Sequence, residues 1–144
     1  MKIREIKRFN NKVYQAVNSL LPQLDPDSVP LTVEKFRRII KSKGTHLFVA
    51  EEGNNRISGI LSAVVYHIPT GTKFWIEDVV VDEASRGKGV GKALMLHAMN
   101  YAGENGAKSV DLTSKPSRVA ANRLYRELGF ELRETNVYRY RINK

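Results

Sequence analysis

The sequence predicts a single domain of mixed α/β class, with helices covering a mixed sheet, and three observations carry that reading. Between residues 46 and 82, three strand-like runs follow one another with only turn residues between them, which is the signature of consecutive hairpins. After residue 82 the apolar pattern switches to helix, strand, helix, strand, as a β-α-β crossover requires. The chain has 144 residues and 42% hydrophobic content, enough for one self-sufficient core and too little for two.

Taken in order, residues 2–8 alternate Ile3 with charged neighbours and read as a strand. Residues 10–21 set Val13, Val17, Leu20 and Leu21 on one helical stripe. Pro22, Pro26 and Pro30 then remove backbone donors within nine residues, so 22–30 reads as a loop. Thr32 suits the N-cap of a helix over 33–42, which ends near Gly44. Residues 46–51 form a β-branched strand, Gly53-Asn54-Asn55 turns the chain, and 56–67 returns with Gly59 marking a bulge or a close backbone approach. After Pro69-Thr70-Gly71, residues 73–82 are apolar on both faces and read as a central strand. A loop over 83–88 opens a helix with Val90, Ala93, Leu94, His97, Ala98 and Tyr101 on its stripe, closed by Asn105-Gly106. Residues 109–113 form a short strand, 117–128 a helix closed by Gly129, and 135–142 a final strand.

Composition narrows the chemistry. With no cysteine, disulfides, thiolate-bound zinc, iron–sulfur clusters and a cysteine acyl-enzyme are excluded. The three histidines lack metal-ligand spacing, so no metal is expected. No run approaches the ~20 apolar residues of a membrane span, and the N-terminus lacks a signal-peptide core. A soluble, cytoplasmic protein with no membrane partner is expected. The net charge of +9 suits an anionic partner or a merely basic surface. Because Lys and Arg are scattered, the charge argues against nucleic acid.

The informative segment is Arg86-Gly87-Lys88-Gly89-Val90-Gly91, lying between a strand and a long helix. Glycines let backbone N–H groups converge without Cβ clashes, and a helix start adds unpaired donors and a positive dipole end. Arg86, Lys88 and Lys92 add charge, so the segment reads as a pyrophosphate site. A P-loop fails twice: Arg86 occupies its first glycine position, and Ala93 follows Lys92. The dinucleotide fingerprint fails once, because its third glycine is Lys92.

The pattern R-x-x-G-x-G, following Val79-Val80-Val81-Asp82, resembles motif A of the GNAT superfamily of N-acetyltransferases. Downstream, Ala121-Asn122-Arg123-Leu124-Tyr125-Arg126-Glu127-Leu128-Gly129-Phe130 is similar to the family's A-x-x-L-Y-x-x-x-G-F. The resemblance covers about residues 45–142 and departs once, with Arg118 where the family often has Asn. It implies a mostly antiparallel sheet of six to seven strands, flanked by four helices and splayed between two central parallel strands. It also implies acetyl-CoA as cosubstrate, held by Val79, Val80, Val81, Arg86, Gly87, Lys88, Gly89, Val90, Gly91 and Lys92. Asn122 is implied to replace the missing amide contact to the pantetheine arm, with Arg118 as a phosphate contact the other option.

The acceptor by this resemblance is an amine, acetylated directly in a ternary complex. An amine of pKa ~10.4 must lose a proton before it attacks, at about 4–5 kcal/mol at neutral pH. Glu77 is the first candidate base and Asp78 the second, since carboxylates in an apolar strand need a reason to be there. The family often places a β-bulge here that turns one of them toward substrate. Tyr125 occupies the position of the acid that protonates the departing thiolate. His97 reads as a packed residue on its helix stripe. Trp75-Ile76-Glu77-Asp78-Val79-Val80-Val81 is similar to a strand of glucosamine-phosphate N-acetyltransferases, which lifts a sugar amine slightly above peptide, polyamine or antibiotic amines. Two rivals stay open: a non-catalytic acyl-CoA sensor and, less favoured, a basic nucleic-acid-binding module. A homodimer also stays open.

Overall fold

The computed structural model describes residues 1–143, and the chain divides into two units, Met1–Thr113 and Ser114–Lys144. In the first unit one sheet runs in chain order. Its strands are β1 (Lys2–Glu5), β2 (Thr45–Glu51), β3 (Ile57–Ile68), β4 (Gly71–Val81) and β5 (Asp111–Leu112). The first four pair antiparallel. β5 lies parallel to β4 through Trp75 opposite Asp111 and Ile76 opposite Leu112.

Three helices belong to this unit: α1 (Asn11–Leu24), α2 (Val33–Lys41) and α3 (Val90–Glu104). Asn10 caps α1 by accepting from the Val13 amide, and Thr32 caps α2 by accepting from the Lys35 amide. α1 runs past the expected boundary and includes Pro22. The proline sits in the last turn, where its missing N–H forfeits one hydrogen bond near an end that stops anyway.

Strand alternation sorts the core into two layers. Val13, Val17, Leu20 and Phe36 of α1 and α2 pack with Leu47, Val49, Ile60 and Val80. On the other side Phe48 meets His97 and Tyr101 of α3, with ring centroids 4.8 and 5.4 Å apart, and Phe74 meets Tyr101 at 6.3 Å. Gly59 is the close approach expected from its place in β3. A Cβ there would lie 3.0 Å from both Leu94 and Val90 side chains and 3.1 Å from the Val80 carbonyl oxygen, so α3 sits directly on the strand backbone.

In the second unit α4 (Val119–Glu127) is followed by a turn in which the Phe130 amide donates to the Tyr125 carbonyl. The expected strand over 135–142 is absent among the described residues, so the sheet has five strands rather than six to seven. Tyr138, Tyr140 and Ile142 are 83–87% exposed. Alternation specifies which faces a strand would show, but a strand exists only where a neighbour takes its backbone hydrogen bonds.

Candidate active site

β4 carries the centre of the site. Ile60 stands opposite Val80 and Ser62 opposite Glu77, so Leu61 alone faces the two residues Asp78 and Val79. This is a β-bulge. Asp78 takes φ +49, a left-handed conformation that Asp tolerates better than branched residues. The expected bulge is therefore present, and it leaves both Glu77 and Asp78 exposed. The Glu77 carboxyl is raised above its ordinary value, first by partial desolvation and then by the neighbouring Asp78 charge.

Toward β5, the ladder stops at Ile76. From Glu77 to Val81 no strand among the described residues pairs that side of β4, while the β3 side stays bonded through Ile60 and Gly59. An edge left open inside a parallel pair can take an extended, amide-bearing ligand as an added strand. The parallel pairing thus ends at Ile76, where β5 itself stops.

The chain then passes a single 3₁₀ turn (Glu83–Ser85) and enters the glycine segment. Gly87 has φ +75 and Gly89 φ +83, and a Cβ at either would meet nothing within 4 Å. Their glycines are required by backbone conformation and leave open space in front of the loop. Gly91 differs from the expectation, being an ordinary residue of the first turn of α3. Gly89 is the N-cap and supplies no side chain, and the first intrahelical bond runs from the Ala93 amide to the Gly89 carbonyl. The amides of Val90, Gly91 and Lys92 precede that bond and have no intrahelical acceptor. Arg86 Nε donates to the Val81 carbonyl at 3.2 Å and Lys88 Nζ to the Ala84 carbonyl at 3.3 Å. Both cations thus brace the loop that they were expected to serve only as phosphate ligands.

The model of the acetyltransferase (GNAT) family matches residues 11–130, most of the chain. The chain belongs to that family. It is 35% identical over 83 residues to the streptothricin acetyltransferase of Streptomyces lavendulae, covering 58% of this chain and 43% of that protein. It is 32% identical over 130 residues to the mycothiol acetyltransferase of Amycolatopsis mediterranei (strain U-32), covering 84% of this chain and 42% of that one. The chain therefore spans less than half the length of these two curated relatives. Its fold is similar to that of an aminoglycoside acetyltransferase, meta-AAC0020, from an uncultured soil metagenomic sample, solved in complex with trehalose. The TM-score is 0.87 at 20% identity, over 99% of this chain and 96% of that one.

This GNAT domain places Glu77, Asp78, the three valines and the glycine segment on one continuous stretch of the first unit. Val80 is buried, while Val79 and Val81 are half-buried. Tyr125 and Asn122 lie on α4 of the second unit. The Tyr125 hydroxyl is raised above its ordinary value by desolvation, against a lowering influence from Arg118, and its ring packs 5.9 Å from Phe130. Asn122 Nδ2 donates to the Lys115 and Arg118 carbonyls at 2.8 and 2.7 Å. Both N–H groups of that amide are thereby used, leaving its carbonyl oxygen to accept.

Of the histidines, His97 packs on Phe48 as expected. His46 Nδ1 lies 2.8 Å from Glu5 Oε2 and 3.3 Å from the Tyr101 hydroxyl. His67 Nδ1 lies 3.0 Å from Thr72 Oγ1. Among the described residues no group of three or more His, Asp or Glu is arranged to hold a metal ion. Among the described residues no helix is long and apolar enough to cross a membrane. Sequence reasoning gave no role to Gln23 and Arg56, which converge on Asp82 at the end of β4. They stand 59 and 26 residues from it, a distance no local pattern reaches.

Proposed function

We propose that this chain transfers an acetyl group from acetyl-CoA to a primary amine, directly, within a ternary complex. One observation carries the reading: the open β4 edge, with its bulge at Asp78, runs straight into a loop of left-handed glycines and an uncapped helix start. An extended amide-bearing arm and a diphosphate, joined in that order, match this succession of donors.

In this reading the amides of Val90, Gly91 and Lys92 hold the diphosphate, and the β4 edge from Val79 to Val81 aligns the pantetheine arm. A β4 amide beside the bulge donates to the thioester oxygen as charge develops on it. Glu77 takes the proton from the acceptor ammonium, directly or through one water, and its raised pKa makes it a better base than an ordinary carboxylate. The amine nitrogen then bonds the carbonyl carbon, the C–S bond breaks, and the nitrogen sheds its surplus proton to solvent, from which Tyr125 is reprotonated after each turnover. Tyr125, kept protonated by its own upward shift, gives its proton to the leaving thiolate. Asp78 holds the bulge and adds negative charge that helps to raise Glu77.

The test is an amine-library screen that follows release of the free CoA thiol, paired with calorimetric titration of CoA. Turnover with at least one primary amine and saturable CoA binding are expected. Absence of CoA binding would remove the assignment, and binding without turnover across the library would favour the sensor.

A further inference from the structure

Three side chains from separate parts of the chain meet where β4 gives way to the glycine loop. Arg56 ends the β2–β3 turn. Its Nη2 donates to Asp82 Oδ2 at 2.5 Å, and its Nη1 donates to Ser85 Oγ at 2.9 Å. Gln23, in the last turn of α1, donates to Asp82 Oδ1 at 3.3 Å and accepts from the Glu83 amide at 2.8 Å. Asp82 Oδ1 also accepts from the Ala84 amide at 3.4 Å.

With two further bonds, Asp82 amide to Ser58 carbonyl and Ser85 amide to Asp82 carbonyl, every backbone donor from Asp82 to Ser85 is engaged. Ser85 is 1% exposed. The donors held in place thus run up to the Arg86 amide, which donates to the Glu83 carbonyl at 3.4 Å, and the helix-start amides without intrahelical acceptors begin four residues later, at Val90. A loop fixed at its root in this way does not have to be ordered by its ligand, and that ordering cost is what preorganisation removes.

We propose that Arg56, Asp82 and Gln23 are positioning residues that preset the glycine loop for the CoA diphosphate, acting through the backbone without touching it. This rests on the CoA reading above. The arrangement is charge-assisted at its centre, where a forked guanidinium spans a carboxylate and a hydroxyl. Desolvation acts to raise the Asp82 carboxyl, but the bonds from Gln23, Ala84 and Arg56, with the Arg56 charge, hold it below its ordinary value. It therefore stays ionised at neutral pH. Arg56, Gln23 and Asp82 also line an open recess of about 360 Å³ whose floor includes the apolar Ala16, Leu20 and Ile57.

The experiment compares the full chain with Arg56→Ala, Arg56→Lys and Gln23→Ala, using amide hydrogen exchange without ligand, calorimetric titration of CoA, and steady-state kinetics. For Arg56→Ala, exchange of the hydrogen-bonded amides from Asp82 to Arg86 is expected to speed up while α2 keeps its protection. The Kd for CoA is expected to rise about tenfold, with kcat at saturating acetyl-CoA and the acceptor KM within about twofold. Arg56→Lys keeps the charge without the fork, so an intermediate loss is expected. Gln23→Ala should give a smaller loss in the same direction. A folded Arg56→Ala with parental exchange at the amides of residues 82–86 and parental Kd overturns the proposal. If Arg56→Ala does not fold, the same readouts on the other two variants decide it. If the parent itself does not bind CoA, the CoA reading fails, while the exchange arm still decides whether these residues hold the loop.

Discussion

Phe74 and Val80 are six residues apart on β4, an even spacing that places both on one face of a regular strand, yet they pack on opposite faces of the sheet. Phe74 meets Tyr101 of α3, whereas Val80 joins the cluster of Val13, Val17 and Phe36 under α1 and α2. The extra residue at the bulge shifts the alternation by one, which inverts every side chain beyond it. The strand thereby serves both cores and exposes two adjacent carboxylates at the crossover.

Those carboxylates can be separated by charge alone. Asn tolerates the left-handed backbone of residue 78, so Asp78→Asn should keep the bulge and remove only the repulsion that helps to raise Glu77. A raised carboxyl becomes a base only as pH climbs through a value above the ordinary 4.5. The acid limb of the kcat/KM profile should therefore lie above that pH in the parent and move lower in Asp78→Asn. Glu77→Gln should lower kcat about 10²-fold with CoA affinity unchanged. A Glu77→Gln enzyme with parental kcat would remove the base assignment.

The same backbone makes a stability test. Asp78→Val puts a branched side chain at φ +49 and should cost about 1–2 kcal/mol in urea unfolding. Asp78→Gly, free of that clash, should be close to neutral.

Two glycines should fail for different reasons. Gly89→Ala is strained only by φ +83, since its Cβ would meet nothing. About 1–2 kcal/mol is expected, with weakened CoA binding. Gly59→Ala instead drives a methyl against Val90, Leu94 and a β4 carbonyl. It should cost about 1–3 kcal/mol through overpacking and leave the loop conformation alone. Thermal melts beside CoA titrations distinguish the two.

Tyr125 titrates above its ordinary 10.0, so its proton is retained throughout the neutral range and ionisation should not limit kcat below that pH. Tyr125→Phe should lower kcat about 10²-fold and leave the Kd for CoA unchanged. Equal losses in kcat and binding would assign the ring a packing role.

Asp82 links the loop root to acid stability. Its folded pKa is lowered, so its contribution is present above its ordinary 3.8 and is lost as pH falls through the folded value. Stability curves of the parent and Asp82→Asn should converge below pH 3.8, with the parent more stable above it.

Much of this was legible in the sequence because the physics behind it is local. Thr32 capping α2, the stripe of α3, the hairpins and the glycines at 87 and 89 depend on neighbours within one turn, and a motif that binds through its own backbone has to be contiguous. Pro22 was misread because a proline's cost depends on how near the helix end lies, which the chain beyond it decides. Residues 135–142 have strand alternation but no ladder, since pairing is supplied by a partner and not by the segment. The inversion between Phe74 and Val80, and the meeting of Gln23, Arg56 and Asp82, were set only when packing brought distant segments together. Hydrogen bonds act over about 3 Å of space whatever the separation along the chain, so contacts of this kind belong to the tertiary structure.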